Sequence, residues 1–141
     1  MIIKQLSVFL ENKQGRLTEL TKILTENNIN ISAFSIADST DYGIIRLIVS
    51  NPNLAYTVLR EQNFSVKITD VACLIVPHEP GGLYKALQIL SDNQIDIDYM
   101  YAFAAEKSAI VVIRTDSTRK LINILQSHKM ELVKSSDIYQ V

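Results

Sequence analysis

The sequence predicts an α+β protein in which a β-α-β-β-α-β unit occurs twice in tandem. The chain aligns with itself without a gap at an offset of 66 residues, and strand-like and helical patterns follow in the same order in both repeats. The repeats meet near Asp70, giving one domain at residues 1–70 and another at residues 71–141. Because no Gly/Pro-rich linker separates the domains, we expect them to pack together.

Identity between the repeats is concentrated between Gly15 and Ile31. Seven of the seventeen positions in this window are identical in the second repeat, whereas elsewhere mainly the apolar pattern persists. Self-similarity at a fixed offset indicates a duplicated unit. The identical pairs are Gly15/Gly81, Leu17/Leu83, Ile23/Ile89, Leu24/Leu90, Asn27/Asn93, Ile29/Ile95 and Ile31/Ile97.

The first repeat reads as a complete unit. Runs rich in β-branched and aliphatic residues predict strands, and apolar residues on one helical face predict the first helix. Asn51 as N-cap and Pro52 at the first helical position predict the start of the second helix. The predicted elements are strands at residues 2–10, 31–37, 43–50 and 64–69, helices at residues 15–28 and 51–62, and a turn at residues 38–42.

The second repeat follows the same plan, with Ser117 in place of Asn51 as the N-cap. Right-handed crossovers then give each repeat an antiparallel four-stranded sheet with both helices on one face, which is the ferredoxin-like arrangement. The predicted elements are strands at residues 71–77, 97–104, 108–115 and 130–134 and helices at residues 81–93 and 117–128.

The third strand of each repeat is apolar on both of its faces, at residues 44–49 and 109–113. A sheet with helices on one side and water on the other should alternate instead, so a continuous apolar run predicts that both faces are covered. We expect packing between the repeats and a homodimer to provide the second cover.

The turn at residues 12–17, repeated at residues 78–83, joins the first strand of each repeat to a helix. A glycine in each turn allows backbone or a ligand to approach closely. The first turn of the following helix leaves backbone N–H groups unpaired, and such groups can receive a carboxylate without any catalytic side chain. The two turns are therefore the candidate binding sites.

The duplicated unit, the glycine turn and the segment Asn-x-Ile-x-Ile at residues 27–31 and 93–97 together resemble the ACT domain family. Pro80-Gly81-Gly82-Leu83 is similar to the family's usual Pro-Gly-x-Leu. The resemblance covers nearly the whole chain. It implies a small, non-catalytic regulatory module that binds an amino acid and acts on a separate enzyme or as a sensor.

In family members that bind amino acids, the turn and the start of the second strand of a neighbouring unit form the pocket. By position, Asn12 would hold the ligand through its side-chain amide and Asn30 would reach it across an interface. Asp96 stands where Asn30 does, so we expect the two sites to differ in affinity, or only one to bind. The ligand-binding residues implied are Asn12, Gln14, Gly15, Arg16, Leu17 and Asn30, then His78, Pro80, Gly81, Gly82, Leu83 and Asp96.

Simpler interpretations of the same residues stay open. Gly15 and Gly81 can be glycines that the turn backbone requires, and Asn12 can stabilise its own turn. Arg16 and Lys13 are candidate carboxylate partners, although charges beside a helix start are usually solvated.

Other chemistry-bearing residues also have structural interpretations. His78 is expected to be a solvated loop histidine and Cys73 a buried thiol. Tyr99, Tyr101 and Phe103 alternate along one strand, which favours packing over base stacking.

Composition excludes several classes of function. A net charge of −1 gives no electrostatic case for nucleic acid or an anionic membrane, and no apolar run is long enough for a membrane helix. The lone Cys73 excludes an internal disulfide, so we expect a cytoplasmic protein. One cysteine and the distant His78 and His128 do not make a metal site, and we expect neither metal nor cofactor.

The leading hypothesis is therefore a regulatory module that binds an amino acid at the turns and the unit interface. The alternative is a protein-interaction or assembly module whose pockets are vestigial. A small ferredoxin-like enzyme ranks third, because no catalytic set stands out and the acylphosphatase and RNA-recognition motifs of this fold are missing.

Overall fold

A computed structural model describes residues 1–38 and 41–139 of the chain, and these residues divide into two compact units. The first unit contains Lys4–Thr69 together with Ile138 and Tyr139. The second unit contains Met1–Ile3 and Asp70–Asp137. Each repeat is thus complemented by a short segment from the other end of the chain.

The predicted α+β architecture, two β-α-β-β-α-β units with antiparallel sheets and helices on one face, is confirmed. The strand order is β2-β3-β1-β4 in the first unit and β5-β6-β4-β7 in the second. The elements are β1 (Ile3–Glu11), α1 (Arg16–Glu26), β2 (Ile31–Asp38), β3 (Tyr42–Val49), α2 (Pro52–Glu61), β4 (Ser65–Pro77), α3 (Gly82–Asp92), β5 (Tyr99–Ala105), β6 (Ser108–Arg114), α4 (Thr118–Ser127), β7 (Glu131–Leu132) and α5 (Ser135–Ile138).

Four predicted strands differ from the structure. The strands at residues 64–69 and 71–77 form one continuous strand, β4, because Asp70 lies between β-forming residues without a glycine or proline to break the ladder. The strand predicted from residue 97 begins at Tyr99. The strand predicted at residues 130–134 is reduced to β7, and the chain then forms the unpredicted helix α5.

The predicted turn at residues 38–42 is shortened at both ends by the strands beside it. β2 extends to Asp38, and β3 already begins at Tyr42. Residues 39 and 40, the middle of this turn, lie outside the described residues.

Each unit has its own hydrophobic core between its helices and one face of its sheet. The leucines at matched positions of α1 and α3, Leu24 and Leu90, are each 1% exposed. The buried core residues include Leu6, Val8, Leu20, Leu24, Ile45, Leu47 and Leu59 in the first unit and Leu74, Leu90, Val111, Ile113, Leu121 and Leu125 in the second.

The other face of each sheet is also covered at its centre. Ile48 of β3 and Val112 of β6 point away from the helices and are fully buried, which confirms the prediction made from their continuous apolar runs. Cys73 is buried on the same face as Val112, and this burial raises the pKa of its thiol to about 12. The thiol is therefore protonated and unreactive at neutral pH.

Helix ends account for much of the repeated sequence. The side-chain amides of Asn27 and Asn93 donate to the carbonyl oxygens of Ile23 and Ile89, each at 2.8 Å. These bonds satisfy acceptors that the last turn of a helix leaves open. The repeated asparagine therefore terminates the helix, and its presence in both repeats has a structural reason.

The predicted N-caps are confirmed. Asn51 Oδ1 accepts a hydrogen bond from the Leu54 amide at 3.2 Å, and Ser117 Oγ accepts one from the Lys120 amide at 3.4 Å. In the described part of the chain, every helix is too short or too polar to cross a lipid bilayer.

Candidate functional site

The two turns that follow β1 and β4 share one backbone arrangement. The amide of Asn12 donates to the Asp41 carbonyl oxygen at 3.0 Å, and the amide of His78 donates to the Lys107 carbonyl oxygen at 3.1 Å. Each bond ties the start of the turn to the hairpin formed by the next two strands. Both turns are thereby held beside the same end of their sheet.

Gly15 and Gly81 are the N-cap residues of α1 and α3, and both have left-handed backbone angles, with φ of 86° and 92°. L-residues with a Cβ adopt this region at a cost, so the backbone itself requires glycine here. A Cβ at either glycine would meet no atom within 4 Å, which leaves open space in front of the turn. Neither helix has a side-chain cap, and the amide of its first residue bonds within the turn, Arg16 to the Lys13 carbonyl oxygen at 3.2 Å and Gly82 to the Glu79 carbonyl oxygen at 3.1 Å. The next two amides of each helix are among the four that an α-helix leaves without an intrahelical partner.

A cavity of about 340 Å³ lies beside the second of these turns, within the second unit. This volume is near the lower end of the range of about 300–1,000 Å³ that small-molecule sites occupy. The turn, β5 and β6 all contribute to its walls. The lining residues are Val76, Pro77, His78, Glu79, Leu83, Ala102, Phe103, Ala104, Ala109 and Val111.

Small side chains on paired strands create this cavity. Ala102 pairs with Val111 and Ala104 pairs with Ala109, on the face of the sheet that carries the helices. An alanine has no atoms beyond Cβ, so the space between this sheet edge and Leu83 at the start of α3 is left unfilled. The exposed turn residues His78 and Glu79 stand at the mouth.

The corresponding place in the first unit is built differently. Ile36 occupies the register position of Ala102, because it pairs with Ile45 as Ala102 pairs with Val111. A Cβ placed on Gly43, which corresponds to Ala109, would lie 3.4 Å from Asn12 Oδ1 and 4.0 Å from Ile36 Cγ2. The Asn12 amide and the Ile36 side chain therefore lie over the floor that the second unit leaves open.

The side chain of Arg16 has structural partners. Its guanidinium lies 3.9 Å from the centroid of the Phe64 ring, and its Nη1 lies 2.9 Å from Glu19 Oε2. At the matched position of the second unit, a side chain on Gly82 would overlap the carbonyl oxygen of Pro77. The start of α3 thus packs closely against the end of β4, and Gly82 is required there by close approach.

The structure does not bring Asn30 to the turn of its own unit. Its amide donates to Ser50 Oγ at 3.0 Å, at the far end of the hairpin from the Asp38–Gly43 pair. Seven residues of strand separate the two ends, which is roughly 23 Å at about 3.3 Å per residue.

Asp96 is placed in the same way as Asn30, before the start of β5. At that end of the β5–β6 hairpin, the Asp98 amide donates to the Arg114 carbonyl oxygen. The turn at residues 78–83 is instead bonded to the Lys107 carbonyl oxygen, at the opposite end of the same hairpin.

Of the residues predicted for the second turn, His78 and Leu83 line the cavity. The remaining predicted turn residues, Pro80 and Gly81 here and Gln14, Gly15 and Leu17 in the first unit, are exposed.

The alanines that create the cavity were missed by sequence reasoning. The signal was present, since the offset of 66 residues aligns Ala102 with Ile36 and thus a small side chain with a large one.

A second cleft, of about 420 Å³, lies between α1 and α2 of the first unit. Charged and amide side chains make up most of its wall, including Lys22 and Glu26, whose Nζ and Oε1 atoms lie 3.8 Å apart. This cleft has no turn glycine or open helix N-terminus, so it is a weaker candidate. Across the described residues, no three His, Cys, Asp or Glu side chains cluster as a metal site.

Comparison with known proteins agrees with this architecture. The family model described as an ACT domain pair matches residues 1–141. A search of curated proteins found no match. Among solved structures, a protein from Bacteroides thetaiotaomicron is 48% identical with a TM-score of 0.96, and the match covers 100% of this chain and 98% of that one.

Two further structures share the fold at low identity. They are the regulatory subunits of aspartate kinase from Thermus thermophilus, with a TM-score of 0.64, and from Thermus flavus, with a TM-score of 0.63. Each is 12% identical, and each match covers 88% of this chain and 90% of that one. The resemblance noted from the sequence is confirmed, and the chain belongs to the ACT domain pair family.

Proposed function

We propose that this protein is a non-catalytic regulatory module that binds an amino acid beside the turn at residues 78–83. The observation that carries the proposal is the cavity of about 340 Å³ lying against an uncapped helix N-terminus in the second unit. A concave site with a few converging polar groups is the usual form of a small-molecule site. Membership of the ACT domain pair family supports a ligand-binding regulatory role.

In this proposal the ligand's two charges bind at the mouth of the cavity. The carboxylate accepts hydrogen bonds from the backbone amides of Leu83 and Tyr84 in the first turn of α3, where the helix dipole favours an anion. The ammonium donates to the carboxylate of Glu79, which lines the cavity and is exposed. His78 contributes a further polar group on the same side.

The other predicted residues have secondary parts in the proposal. Pro80, Gly81 and Gly82 shape the turn that presents the amides. The turn at residues 12–17 is a second site of different affinity, because Asn12 and Ile36 lie over its floor. Asn30 and Asp96 contribute only from the partner chain of a homodimer.

We propose a separate enzyme as the regulated partner, in a cytoplasmic setting. This part of the proposal is supported by the fold that the chain shares with proteins described as regulatory subunits of aspartate kinase. Ligand binding would order the turn and thereby change the surface offered to the partner.

An assembly module is the second candidate, and exposed apolar side chains in the first unit favour it. Phe34 of β2 is 61% exposed, while Phe9 and Tyr42 are half exposed with ring centroids 5.5 Å apart. Such patches often mark protein interfaces. Under this alternative, substitutions of Phe9 or Phe34 abolish partner capture and substitutions in the turns leave it intact.

A thermal-shift screen of the common amino acids tests the proposal. A ligand present at 100 times its Kd adds about 2.7 kcal/mol to the free energy of unfolding and raises the melting temperature. A flat response across the whole panel, together with unchanged spectra on titration, contradicts an amino-acid site.

Gly81→Val and Gly15→Val form a matched pair for locating the site. Both glycines have left-handed φ values, so each valine imposes a similar backbone strain of about 1–3 kcal/mol. We expect Gly81→Val to lose the ligand-induced shift, because the turn must move its amides. Gly15→Val should keep most of the shift, and a shift that survives Gly81→Val unchanged rules out the second turn.

A further inference from the structure

We propose that the cavity of the second unit selects an amino acid with an aliphatic side chain, and that Ala102 is the residue that sets this specificity. The inference rests on the proposed function and adds the chemical class of the ligand. It follows from the distribution of polar and apolar groups along the cavity and from the matched position in the first unit.

Among the described lining residues, the polar side chains belong to the turn, and every side chain contributed by the strands is apolar. His78 and Glu79 belong to the turn, which the Lys107 carbonyl oxygen holds beside the hairpin. The remaining lining side chains carry no charge and no hydrogen-bonding group; they are Val76, Pro77, Leu83, Ala102, Phe103, Ala104, Ala109 and Val111.

The register of β6 gives the direction in which the ligand side chain would extend. Ala109 lies two residues from Lys107, and Val111 lies two residues further along the strand. Each two-residue step is about 7 Å. A zwitterion held at the turn therefore has its side chain directed past the Ala104–Ala109 pair towards the Ala102–Val111 pair.

A charged or amide side chain has no partner among these apolar side chains. Burying a polar group without a hydrogen bond is unfavourable, and burying an unpaired charge is more so. An aliphatic side chain instead removes its own surface and that of the lining alanines and valines from water. Ala102, Ala104 and Leu83 are themselves exposed, so an aliphatic ligand side chain gains free energy from the apolar surface that it covers there, with no specific contact needed.

Ala102 keeps this apolar part of the cavity open. Ile36 stands at the same register position in the first unit, where its Cγ2 lies 4.0 Å from the place that a Cβ on Gly43 of the facing strand would occupy. Isoleucine at residue 102 would place three additional carbon atoms on the wall of the cavity. The substitution Ala102→Ile therefore fills the space that we assign to the ligand side chain.

The test measures Kd by titration calorimetry of the full chain with near-isosteric pairs, leucine against aspartate and valine against threonine. We expect leucine to bind at least tenfold more tightly than aspartate, and valine more tightly than threonine by a smaller factor. Ala102→Ile should weaken leucine binding at least tenfold while glycine or alanine, which do not reach residue 102, bind as before. Asn123→Ala, an exposed change on α4 that is absent from the cavity lining, serves as the control and should leave leucine binding unchanged.

Each other outcome has a distinct meaning. Tighter binding of aspartate or threonine overturns the inference and leaves the amino-acid site intact, whereas no binding of any amino acid overturns both. Leucine binding that is unaffected by Ala102→Ile also overturns the inference. If Ala102→Ile lowers the melting temperature of the unliganded protein, the smaller change Ala102→Val, with melting curves taken first, is expected to give an intermediate loss.

Discussion

The two turns share their backbone geometry and differ in the side chains beyond it. Gly15 and Gly81 have φ values within a few degrees of each other, and equivalent amides make equivalent hydrogen bonds. Yet the Ile36 side chain occupies space beside the turn of the first unit, whereas Ala102 leaves the corresponding space open in the second. The difference teaches that backbone geometry makes a binding site possible, while the size of one neighbouring side chain decides whether the site is open.

The sheet faces opposite the helices also differ between the two units in their side chains. Ser7 and Arg46 occupy positions in the first unit that Cys73 and Val112 occupy in the second. The first sheet is therefore polar where the second is apolar and buried. Matched substitutions in the shared framework should thus have equal effects, and matched substitutions around the turns should have unequal ones.

The largest effect is expected from Leu24→Ala and Leu90→Ala, which truncate equivalent core leucines. Both side chains are 1% exposed, so each change should lower the free energy of unfolding by about 2–5 kcal/mol. Denaturant unfolding measures this. The assumption of equivalent frameworks fails if one truncation costs less than half as much as the other.

A smaller and unequal effect is expected from Gly82→Ala and Arg16→Ala. The new Cβ at residue 82 overlaps the Pro77 carbonyl oxygen, and such overpacking costs about 1–3 kcal/mol. Arg16→Ala removes only the exposed pair with Glu19 and the contact with Phe64, which should cost about 1 kcal/mol or less.

Thermal unfolding and ligand titration distinguish these two substitutions. Gly82→Ala should also weaken ligand binding, because the first turn of α3 must move. Equal effects of the two substitutions on stability and binding would remove the proposed asymmetry between the turns.

The smallest effect is expected from Asn27→Ala and Asn93→Ala. Each change removes one side-chain hydrogen bond at a helix C-terminus, so each should cost about 1 kcal/mol. Asn123→Ala, on an exposed part of α4, is the control and should change stability by less than about 0.5 kcal/mol. A cost confined to one of the two repeats would show that the helix ends are not equivalent.

Local patterns were sufficient to predict most of the fold. The N-caps at Asn51 and Ser117 and the apolar face of each helix depend on neighbouring residues, so the sequence displays them directly. The continuity of β4 and the helix α5 depend on strand pairing and on packing by distant segments, which one sequence does not display.

The candidate site was predictable in part for the same reason. Gly15 and Gly81 can be recognised in the sequence because a left-handed N-cap conformation favours glycine. The cavity depends on which residues face each other across β5 and β6, and an alanine such as Ala102 carries no motif. The strand pairing, which places Ala102 opposite Val111, is needed to see that the small alanine side chain leaves space in the cavity.

The exchange of end segments between the units has a consequence for how the protein is made. The Lys4 amide donates to Tyr139 Oη at 2.7 Å, and Ser32 Oγ donates to the Ile138 carbonyl oxygen at 3.4 Å. Both acceptors lie near the C-terminal end of the second repeat, so they are translated after most of it. The first unit therefore cannot form all of its contacts until Tyr139 has left the ribosome. The unit that is synthesised first is thus the last to be completed.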